Sequence, residues 1–361
     1  MKSLRYAGLL VNTTPGLEDV TAGEVSEILK DVRITLKIRP YGLQGKVLAQ
    51  GDLTPDHGHT LVRRSRSAER VILLLGLSRI GRLMRDLEAL YKLTYSLPFE
   101  DMITPFSRVA VRAQREGRHE YTSLDIARVV GQAILDKIKG VYGIRPAVDL
   151  RSPTIVIYAE VVGENVLLGI DLAKGVGLHE RGYRAFVHPA ALRPTVAYAL
   201  LRVSGIREGD MILDPMCGSG TILIEAALAF KRVRLYGMDI NEEYLKGAMK
   251  SARKAGVGHR ILFKVGNARY LEEEFPNADF DRVITNPPYG VRMRPRDIKS
   301  LYRGLIRGSY NILKEGGSLT LLTTRHRLAK RIANEVGFSL AHERSIYLGG
   351  LYPRVLVFSK R

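Results

Sequence analysis

The chain has 361 residues, of which 45% are hydrophobic, and it carries a formal net charge of +19. This length and composition predict two or three domains with buried cores, and the charge indicates an anionic partner, most often a nucleic acid. The single cysteine, Cys217, excludes a disulfide framework and a paired-thiol metal site, and the longest apolar run, residues 71–77, is too short to span a bilayer. The N-terminus also lacks the features of a signal peptide, so we expect a soluble, cytoplasmic protein with no membrane partner. We further expect a monomer that binds no metal.

The first part of the chain is predicted to form an α+β region. The expected strands cover residues 7–13, 32–38, 43–50, 71–77, 107–113, 147–150, 154–160 and 166–170. The expected helices run from Pro15 to about Lys30, over residues 83–95, and over residues 124–138 with Ser123 as the N-cap.

One segment of this region is rich in arginine. Arg112 lies in the predicted strand 107–113, and Arg115 and Arg118 follow in the loop that leads to Ser123. A strand with arginine on its open face, a basic loop and a capped helix could together grip a phosphate backbone. An ordinary solvated charged face is the alternative interpretation.

The second half of the chain alternates strand and helix regularly, which predicts an α/β fold with a doubly wound, Rossmann-like parallel sheet. The expected strands cover residues 211–213, 235–239, 261–265, 281–284 and 317–322, followed by a hairpin of residues 343–348 and 355–359. The expected helices cover residues 195–203, 222–230, 242–255, 299–313 and 328–336. In such a sheet ligands bind beyond the carboxyl ends of the strands.

The ends of the first two strands carry the features of a nucleoside site. Gly218 and Gly220 follow the first strand, where backbone N–H groups and a helix N-terminus can approach a ligand. Asp239 ends the second strand, where a carboxylate can accept hydrogen bonds from ribose hydroxyls. Leu223 occupies the third glycine position of a dinucleotide site, and Asp214 would repel a pyrophosphate but could pair with an ammonium group. Both features differ from a dinucleotide site. S-adenosylmethionine fits them, because it has an ammonium and a sulfonium and no phosphate.

The end of the fourth strand carries the sequence Thr285-Asn286-Pro287-Pro288-Tyr289-Gly290. Two successive prolines fix φ and remove two backbone donors, so the carbonyls of Asn286 and Pro287 are held rigidly. The Asn286 side chain adds a third acceptor and Tyr289 a flat aromatic face, which suits a nucleobase with an exocyclic amine. A simple strand-ending turn is the alternative, since Asn-Pro and Pro-Pro are common in turns.

These motifs together resemble the N-methylating branch of the class I S-adenosylmethionine-dependent methyltransferases, over about residues 175–361. Ser107–Gly131 and Gly169–Leu172 resemble a THUMP domain, the RNA-binding module of several RNA-modifying enzymes, and the residues before it resemble a ferredoxin-like domain. The resemblance implies binding to tRNA near the acceptor stem and 3′ end. The domains expected from it are 1–64 (ferredoxin-like), 65–172 (THUMP), 173–190 (linker) and 191–361 (methyltransferase).

The resemblance also implies roles for individual residues. Asp214 and the glycines would hold the methionyl part, Asp239 the ribose, and Asn267 and Ala268 the adenine. The full set expected to bind the cofactor is His188, Pro189, Ala190, Ala191, Leu192, Asp214, Cys217, Gly218, Ser219, Gly220, Thr221, Asp239, Ile240, Asn267, Ala268 and Asn286. Cys217 is interpreted as a lining residue, because the catalytic cysteine of cytosine-C5 methyltransferases typically lies near the fourth-strand motif.

The residues expected to be catalytic are Asn286, Pro287 and Tyr289. Hydrogen bonds from a guanine N2 amine to Asn286 and Pro287 would shift the nitrogen towards sp³ character, and Tyr289 would stack on the extruded base. Family members that modify guanosine 6 of tRNA carry Asn-Pro-Pro-Tyr, whereas those that act on guanosine 10 usually carry Asp-Pro-Pro-Tyr. The alternatives are a guanosine-10 or rRNA guanine-N2 methyltransferase, and a THUMP RNA-binding protein with an inactive methyltransferase half.

The positive charge is concentrated in the second half of the chain. Residues 1–175 hold 25 Lys and Arg against 20 Asp and Glu, a net of +5, and residues 176–361 hold 31 against 17, a net of +14. Two basic groups follow predicted strand ends on the side of the expected pocket: Arg292, Arg294 and Arg296, and Arg325, Arg327, Lys330 and Arg331. We expect these groups to hold RNA phosphates beside the extruded base, with ordinary solvated loops as the alternative.

Overall fold

The computed structural model describes residues 6–186, 191–288 and 297–361. The chain folds into two compact units. The first comprises the chain up to Thr13 and Thr21–Leu178, and the second comprises Thr14–Val20 and His179–Arg361. Within the described ranges, no helix is both long enough and apolar enough to cross a membrane.

The first unit contains eight strands and four helices among the described residues. The strands are β1 (Gly8–Asn12), β2 (Ile34–Ile38), β3 (Lys46–Gly51), β4 (Arg70–Arg79), β5 (Arg108–Glu116), β6 (Ala147–Val148), β7 (Ile155–Val162) and β8 (Asn165–Asp171). The helices are α1 (Glu18–Ile28, which belongs to this unit from Thr21 onward), α2 (Pro55–Arg64), α3 (Leu87–Ser96) and α4 (Ser123–Tyr142).

All eight strands form one sheet in the order β2-β3-β1-β4-β8-β7-β5-β6. Strand β1 pairs antiparallel with both β3 and β4. One sheet therefore joins the strands of segments 1–64 and 65–172, and the boundary between these segments stays a prediction about family modules. The helices and sheet enclose a core that includes Leu9, Leu73, Leu90, Ile134 and Ile157, all nearly inaccessible to solvent.

Local chemistry explains two differences from the sequence expectations. Helix α4 is capped by Thr122 and not by Ser123: the Thr122 hydroxyl accepts a hydrogen bond from the Asp125 N–H (3.3 Å), and the Asp125 carboxylate accepts one from the Thr122 N–H (2.9 Å). This reciprocal pair is a capping box, which makes Ser123 the first helical residue. Helix α2 was not predicted because its residues are mostly polar, although Pro55 occupies its first turn as is common at helix starts.

The second unit contains seven strands and six helices among the described residues. The strands are β9 (Met211–Asp214), β10 (Arg234–Asp239), β11 (Ile261–Val265), β12 (Phe280–Thr285), β13 (Leu313–Thr323), β14 (Ser339–Ser345) and β15 (Arg354–Ser359). The helices are α5 (Pro194–Val203), α6 (Thr221–Ala229), α7 (Glu242–Lys254), α8 (Leu271–Glu274), α9 (Ile298–Ile312) and α10 (His326–Val336).

The strands of this unit form one sheet in the order β11-β10-β9-β12-β13-β15-β14. Neighbouring strands from β11 to β13 are parallel, and β15 is antiparallel to both β13 and β14. The predicted doubly wound sheet and its terminal hairpin are thus confirmed. From β9 the chain adds β10 and β11 on one side of the sheet, and it then returns to add β12 and β13 on the other side of β9. The direction in which strands are added therefore reverses between β9 and β12.

Both faces of this sheet are covered by helices. Successive strand residues point to opposite faces, so Leu322 packs in the core that contains Leu200 of α5, while Leu321 packs in the core that contains Ile306 of α9. Burial on both faces explains the nearly continuous apolar runs of the parallel strands. It also leaves the carboxyl edge of the sheet as the exposed place where a ligand can bind.

Candidate active site

A cavity of about 340 Å³ opens where the sheet order reverses, at the carboxyl ends of β9, β10 and β12. This volume lies in the range of small-molecule sites, about 300–1,000 Å³. The predicted cofactor and catalytic residues that line it are Ala191, Leu192, Asp214, Cys217, Gly218, Ser219, Thr221, Asp239, Ile240, Asn286 and Pro287. The structure therefore brings most of the described predicted residues to one place.

Backbone hydrogen bonds fix the conformation of the loop between β9 and α6. The Cys217 N–H donates to the Met238 carbonyl (2.9 Å), and the Gly220 N–H donates to the Cys217 carbonyl (2.8 Å). Gly218 and Gly220 have φ values of 52° and 74°, which are unfavourable for residues with a side chain. A Cβ on Gly220 would also lie 3.1 Å from the Cβ of Ala248. The positive φ thus favours glycine at both positions, and space is also tight at Gly220.

Asp239 is oriented by two backbone groups. Its Oδ2 accepts a hydrogen bond from the Gly218 N–H and its Oδ1 one from the Asn241 N–H, both at 2.9 Å. Asn241 in turn caps α7, since its side-chain oxygen accepts from the Glu243 N–H at 2.9 Å. Each carboxylate oxygen has further acceptor capacity, so Asp239 can still receive hydrogen bonds from ribose hydroxyls.

Asp214 is buried at the end of β9. Burial raises the pKa of its carboxyl from 3.8 to about 7. The Thr285 hydroxyl and a hydrogen bond from the Met216 N–H (3.2 Å) oppose this rise, and the Asp239 carboxylate adds to it. A buried carboxylate is costly without a positive partner. The position therefore suits a ligand that brings its own cation.

Cys217 faces the same cavity, and burial, followed by the charges of Asp214 and Asp239, raises the pKa of its thiol far above the usual range. A thiolate is the nucleophilic form of cysteine. The neutral thiol therefore supports a lining role for Cys217 and argues against covalent catalysis.

The turn after β12 forms another wall of the cavity. Thr285 ends the strand and is fully buried, and Asn286, Pro287 and Pro288 follow it and line the cavity. Because prolines have no N–H group, this wall offers acceptors and no backbone donors at two successive positions. Such a wall selects a ligand group that donates hydrogen bonds.

Comparison with known proteins agrees with this geometry. The family model described as "RMKL-like, methyltransferase domain" matches residues 181–354, and the THUMP domain model matches residues 84–171. The chain is 34% identical to the tRNA (guanine(6)-N2)-methyltransferase of Archaeoglobus fulgidus, over 96% of this chain and 90% of that protein. This chain belongs to that methyltransferase family.

Two other known proteins match this chain over nearly its whole length. The tRNA (guanine(6)-N2)-methyltransferase of Methanocaldococcus jannaschii is 30% identical, over 96% of this chain and 98% of that protein. The crystal structure of TrmN from Thermus thermophilus superimposes with a TM-score of 0.80 at 33% identity, and the match covers 98% of this chain and 99% of that one. The family resemblance seen in the sequence, the fold class and the enzymatic nature of the protein are thereby confirmed.

Three residues implied by the resemblance do not line the cavity of this methyltransferase. Gly220 lies at the N-terminus of α6 and is not part of the cavity lining. The Asn267 N–H donates to Glu274 (2.8 Å) and the Asn267 side chain accepts from the Arg269 N–H (3.1 Å), while Ala268 packs in the core beneath the sheet. Seven predicted site residues lie outside the described ranges: His188, Pro189, Ala190, Tyr289, Arg292, Arg294 and Arg296.

Several lining residues were not predicted from the sequence: Arg193, Met216, Ile222, Asn241, Tyr244, Pro288, Leu348, Gly349, Leu351 and Pro353. The last four come from the connection between β14 and β15. The Gly349-Gly350 pair is a signal for a tight hairpin turn, but it gives no indication that the hairpin reaches the cavity. Among residues 6–186, 191–288 and 297–361, no group of three or more His, Cys, Asp and Glu side chains is placed to hold a metal ion.

The arginines predicted to bind RNA occupy exposed positions in each unit. In the first unit, Arg112 donates to the Leu150 carbonyl (2.9 Å), Arg115 donates to the Gly117 carbonyl (2.7 Å), and Arg118 is exposed in the loop after β5. In the second unit, Arg325 and Arg327 are exposed on either side of the first residue of α10, next to the carboxyl end of β13. Their contact with RNA stays a prediction.

Proposed function

We propose that this enzyme transfers the methyl group of S-adenosylmethionine to the exocyclic N2 amine of guanosine 6 in tRNA. The proposal is supported by two relatives of this name, which the chain matches over 90% and 98% of their lengths. The observation that carries it is the shared cavity. Asp214 and Asp239 lie on one side of the point where the sheet order reverses, and the Asn286-Pro287-Pro288 turn lies on the other.

The residues of the cavity fit this methyl donor. Asp214 would pair with the ammonium group, which would favour the ionised form of its buried carboxyl, and Asp239 would accept from the ribose. The first backbone N–H groups of α6, at Thr221 and Ile222 in the cavity lining, would face the methionyl carboxylate. When bound, S-adenosylmethionine supplies a methyl group made electrophilic by its sulfonium.

Asn286 and Pro287 would act on the target amine. The amine has two N–H donors, and the turn offers a side-chain oxygen and backbone carbonyls without competing backbone donors. Hydrogen bonds to these acceptors would withdraw the nitrogen lone pair from conjugation with the ring and aim it at the donor side of the cavity. Such positioning and electrostatic effects can supply most of a rate enhancement.

A strong general base is not required by this scheme. Among the described residues that line the cavity there is no histidine and no lysine. An amine that has received a methyl group becomes strongly acidic until it loses a proton, so water can accept that proton after the transfer. Asn286 and Pro287 would therefore be positioning groups in contact with the reacting amine, and Tyr289 would stack on the base.

The RNA partner follows from the THUMP domain and the charge. Residues 176–361 carry a net charge of +14, which favours binding to a phosphate backbone. A guanosine inside the acceptor stem must leave the helix to reach the cavity, as in other base-modifying enzymes. Contact with the acceptor stem and 3′ end, a monomeric state and a cytoplasmic location belong to the same proposal; light scattering of the purified protein tests the monomer.

The test is incubation of an unmodified tRNA transcript with labelled S-adenosylmethionine, followed by nucleoside analysis and mapping. We expect N2-methylguanosine at position 6. Label at position 10, or on rRNA in preference to tRNA, would replace the proposed target. Binding of RNA without any methyl transfer, together with no binding of S-adenosylmethionine in calorimetry, would instead indicate an inactive methyltransferase half.

A further inference from the structure

The connection between β14 and β15 is a regular hairpin extension, called here the arm (Ile346–Pro353). The Ile346 N–H donates to the Pro353 carbonyl (3.1 Å), and Leu348 and Leu351 exchange two backbone hydrogen bonds of 2.9 and 3.1 Å. Gly349 and Gly350 between them have φ values of 54° and 88°. Positive φ at both central residues is what a two-residue type I′ turn requires. The arm is therefore an ordered two-stranded element.

The arm projects beyond the edge of the sheet at which the cavity opens. Arg354, the first residue of β15, lies opposite Thr323, the last residue of β13. Because the two strands are antiparallel, the residues before Arg354 continue past the carboxyl end of β13. Leu348, Gly349, Leu351 and Pro353 of the arm accordingly line the cavity.

The base of the arm is fixed within the second unit. Arg344 makes two hydrogen bonds to the Asp19 carboxylate, at 2.6 and 2.9 Å. The Tyr347 N–H donates to the Pro15 carbonyl at 3.0 Å, and the Ile346 side chain is buried. These contacts limit the freedom of the arm before any substrate binds.

The two faces of the arm differ in chemistry. Alternate residues of a strand point to opposite faces, so the face opposite the cavity carries Tyr347 and Tyr352. Their rings lie 5.2 Å apart with an interplanar angle of 50°, and the two residues are 40% and 68% exposed. Two adjacent aromatic rings on an ordered hairpin offer a large surface to a partner.

Basic side chains lie next to this tyrosine face. Arg354 is two residues from Tyr352 on the same face, and it shares the Glu343 carboxylate with Lys330 of α10. Arg325 and Arg327 are exposed at the start of α10. Burial, followed by the charges of Arg354 and Lys330, lowers the pKa of His326 between them. Arg354 and Lys330 together carry one positive charge more than the Glu343 carboxylate that they share, and Arg325 and Arg327 add two more. The surroundings of the tyrosines therefore favour an anionic partner.

We propose that Tyr347 and Tyr352 form a stacking platform for an unpaired nucleobase of the substrate RNA on the outer face of the arm, outside the cavity that takes the extruded guanosine. The inference rests on the proposed function, because it takes the RNA as the molecule that reaches the cavity. Extrusion of one base exposes the faces of its neighbours, and aromatic side chains bind such faces with little regard to sequence. Arg325 and Arg327 would contact the phosphates beside that base.

The experiment compares Ala, Leu and Phe variants at positions 347 and 352. The affinity for a fluorescent tRNA transcript is measured by anisotropy in the presence of S-adenosylhomocysteine, together with kcat/KM for methylation. Tyr347→Ala and Tyr352→Ala should each weaken RNA binding about 5- to 100-fold. The Phe variants should stay within about twofold of the wild type, and the Leu variants should resemble the Ala variants, because leucine preserves apolar bulk without a ring.

Two controls make the result specific. The Kd of S-adenosylmethionine should be unchanged in every variant, since both tyrosines lie on the face away from the cavity. Tyr270→Ala removes another exposed tyrosine, which follows β11 at the opposite edge of the sheet, and should leave RNA affinity unchanged.

The outcomes separate the two proposals. Absence of methyl transfer to tRNA by the wild type would refute the proposed function. Methylation of guanosine 6 by the wild type, together with Ala variants that bind RNA and methylate it as the wild type does, would refute only the platform. Leu variants with wild-type affinity would also refute it, because the contact would then be apolar and not a stacking contact.

Discussion

Replacing Asp214 by asparagine should have opposite effects on stability and on binding of the methyl donor. The pKa of the buried Asp214 carboxyl is raised from 3.8 to about 7. A raised carboxyl pKa means that the folded protein disfavours the ionised form. The contribution of Asp214 to the free energy of unfolding of the ligand-free protein should therefore fall as the pH rises from about 4 to about 7, and should be level above that.

The size of this effect follows from the same values. Because one pH unit corresponds to about 1.4 kcal/mol, the gap between 3.8 and about 7 amounts to about 4 kcal/mol as an upper value. The amide that replaces the carboxyl in Asp214→Asn is neutral at every pH and can still accept from the Met216 N–H. The substitution should therefore stabilise the ligand-free protein at pH 8 by up to about 4 kcal/mol and have little effect at pH 4.

The variant should nevertheless bind S-adenosylmethionine poorly. Loss of one partner of a buried, hydrogen-bonded charge pair costs about 2–5 kcal/mol, which is a loss of about 30-fold or more in affinity. Urea denaturation at pH 4 and pH 8 and titration calorimetry measure the two effects. Asp239→Asn is the matched control: it should weaken binding without a gain in stability, because it removes a charged acceptor from the Gly218 and Asn241 N–H groups. Equal stability of Asp214→Asn and the wild type at pH 8, or undiminished affinity, would refute the role assigned to Asp214.

Three further predictions concern other parts of the site. Asn286→Ala should lower the rate constant of methyl transfer about 100- to 1,000-fold in a single-turnover assay, because it removes an acceptor for the target amine. A change below about threefold would contradict this. Gly220→Ala should destabilise the protein by about 1–2 kcal/mol in urea denaturation, since φ is 74° and the added Cβ would meet Ala248 at 3.1 Å. Arg325→Ala with Arg327→Ala should weaken tRNA binding and reduce its salt slope by up to about 2, and an unchanged slope would remove these arginines from the RNA surface.

Much of the second unit was predictable because its chemistry is local. Asp214, Asp239 and Asn286 each stand at the end of a strand of a parallel sheet, and the carboxyl ends of parallel strands meet at one edge. The regular strand and helix alternation was enough to bring these residues together in the prediction. The glycines between β9 and α6 could also be recognised in the sequence, because a positive φ favours glycine over residues with a side chain.

The parts that were missed depend on contacts between distant segments. Leu348 and Leu351 are ordinary apolar residues in the sequence, and they reach the cavity only because β15 inserts antiparallel between β13 and β14. In the same way, β1 lies between β3 and β4, so the N-terminal strands and those of the THUMP segment share one sheet. Pairings of this kind leave no periodic signal in either strand.

Some predictions failed for local reasons. Helix α2 was hidden by its polar composition, and the choice of Ser123 over Thr122 as a cap overlooked that Asp125 stands three residues after Thr122. The side chain of Ala268 packs in the core, so the role that the resemblance implies for this residue beside the adenine stays a prediction.

The most direct test of the central claim compares two tRNA transcripts that differ only at position 6. One carries guanosine and the other inosine, which lacks the exocyclic N2 amine and keeps the rest of the purine. With labelled S-adenosylmethionine, the guanosine transcript should be methylated at position 6 and the inosine transcript should remain unlabelled there. Equal labelling of both transcripts, or label on a ring carbon or a ribose, would contradict the account.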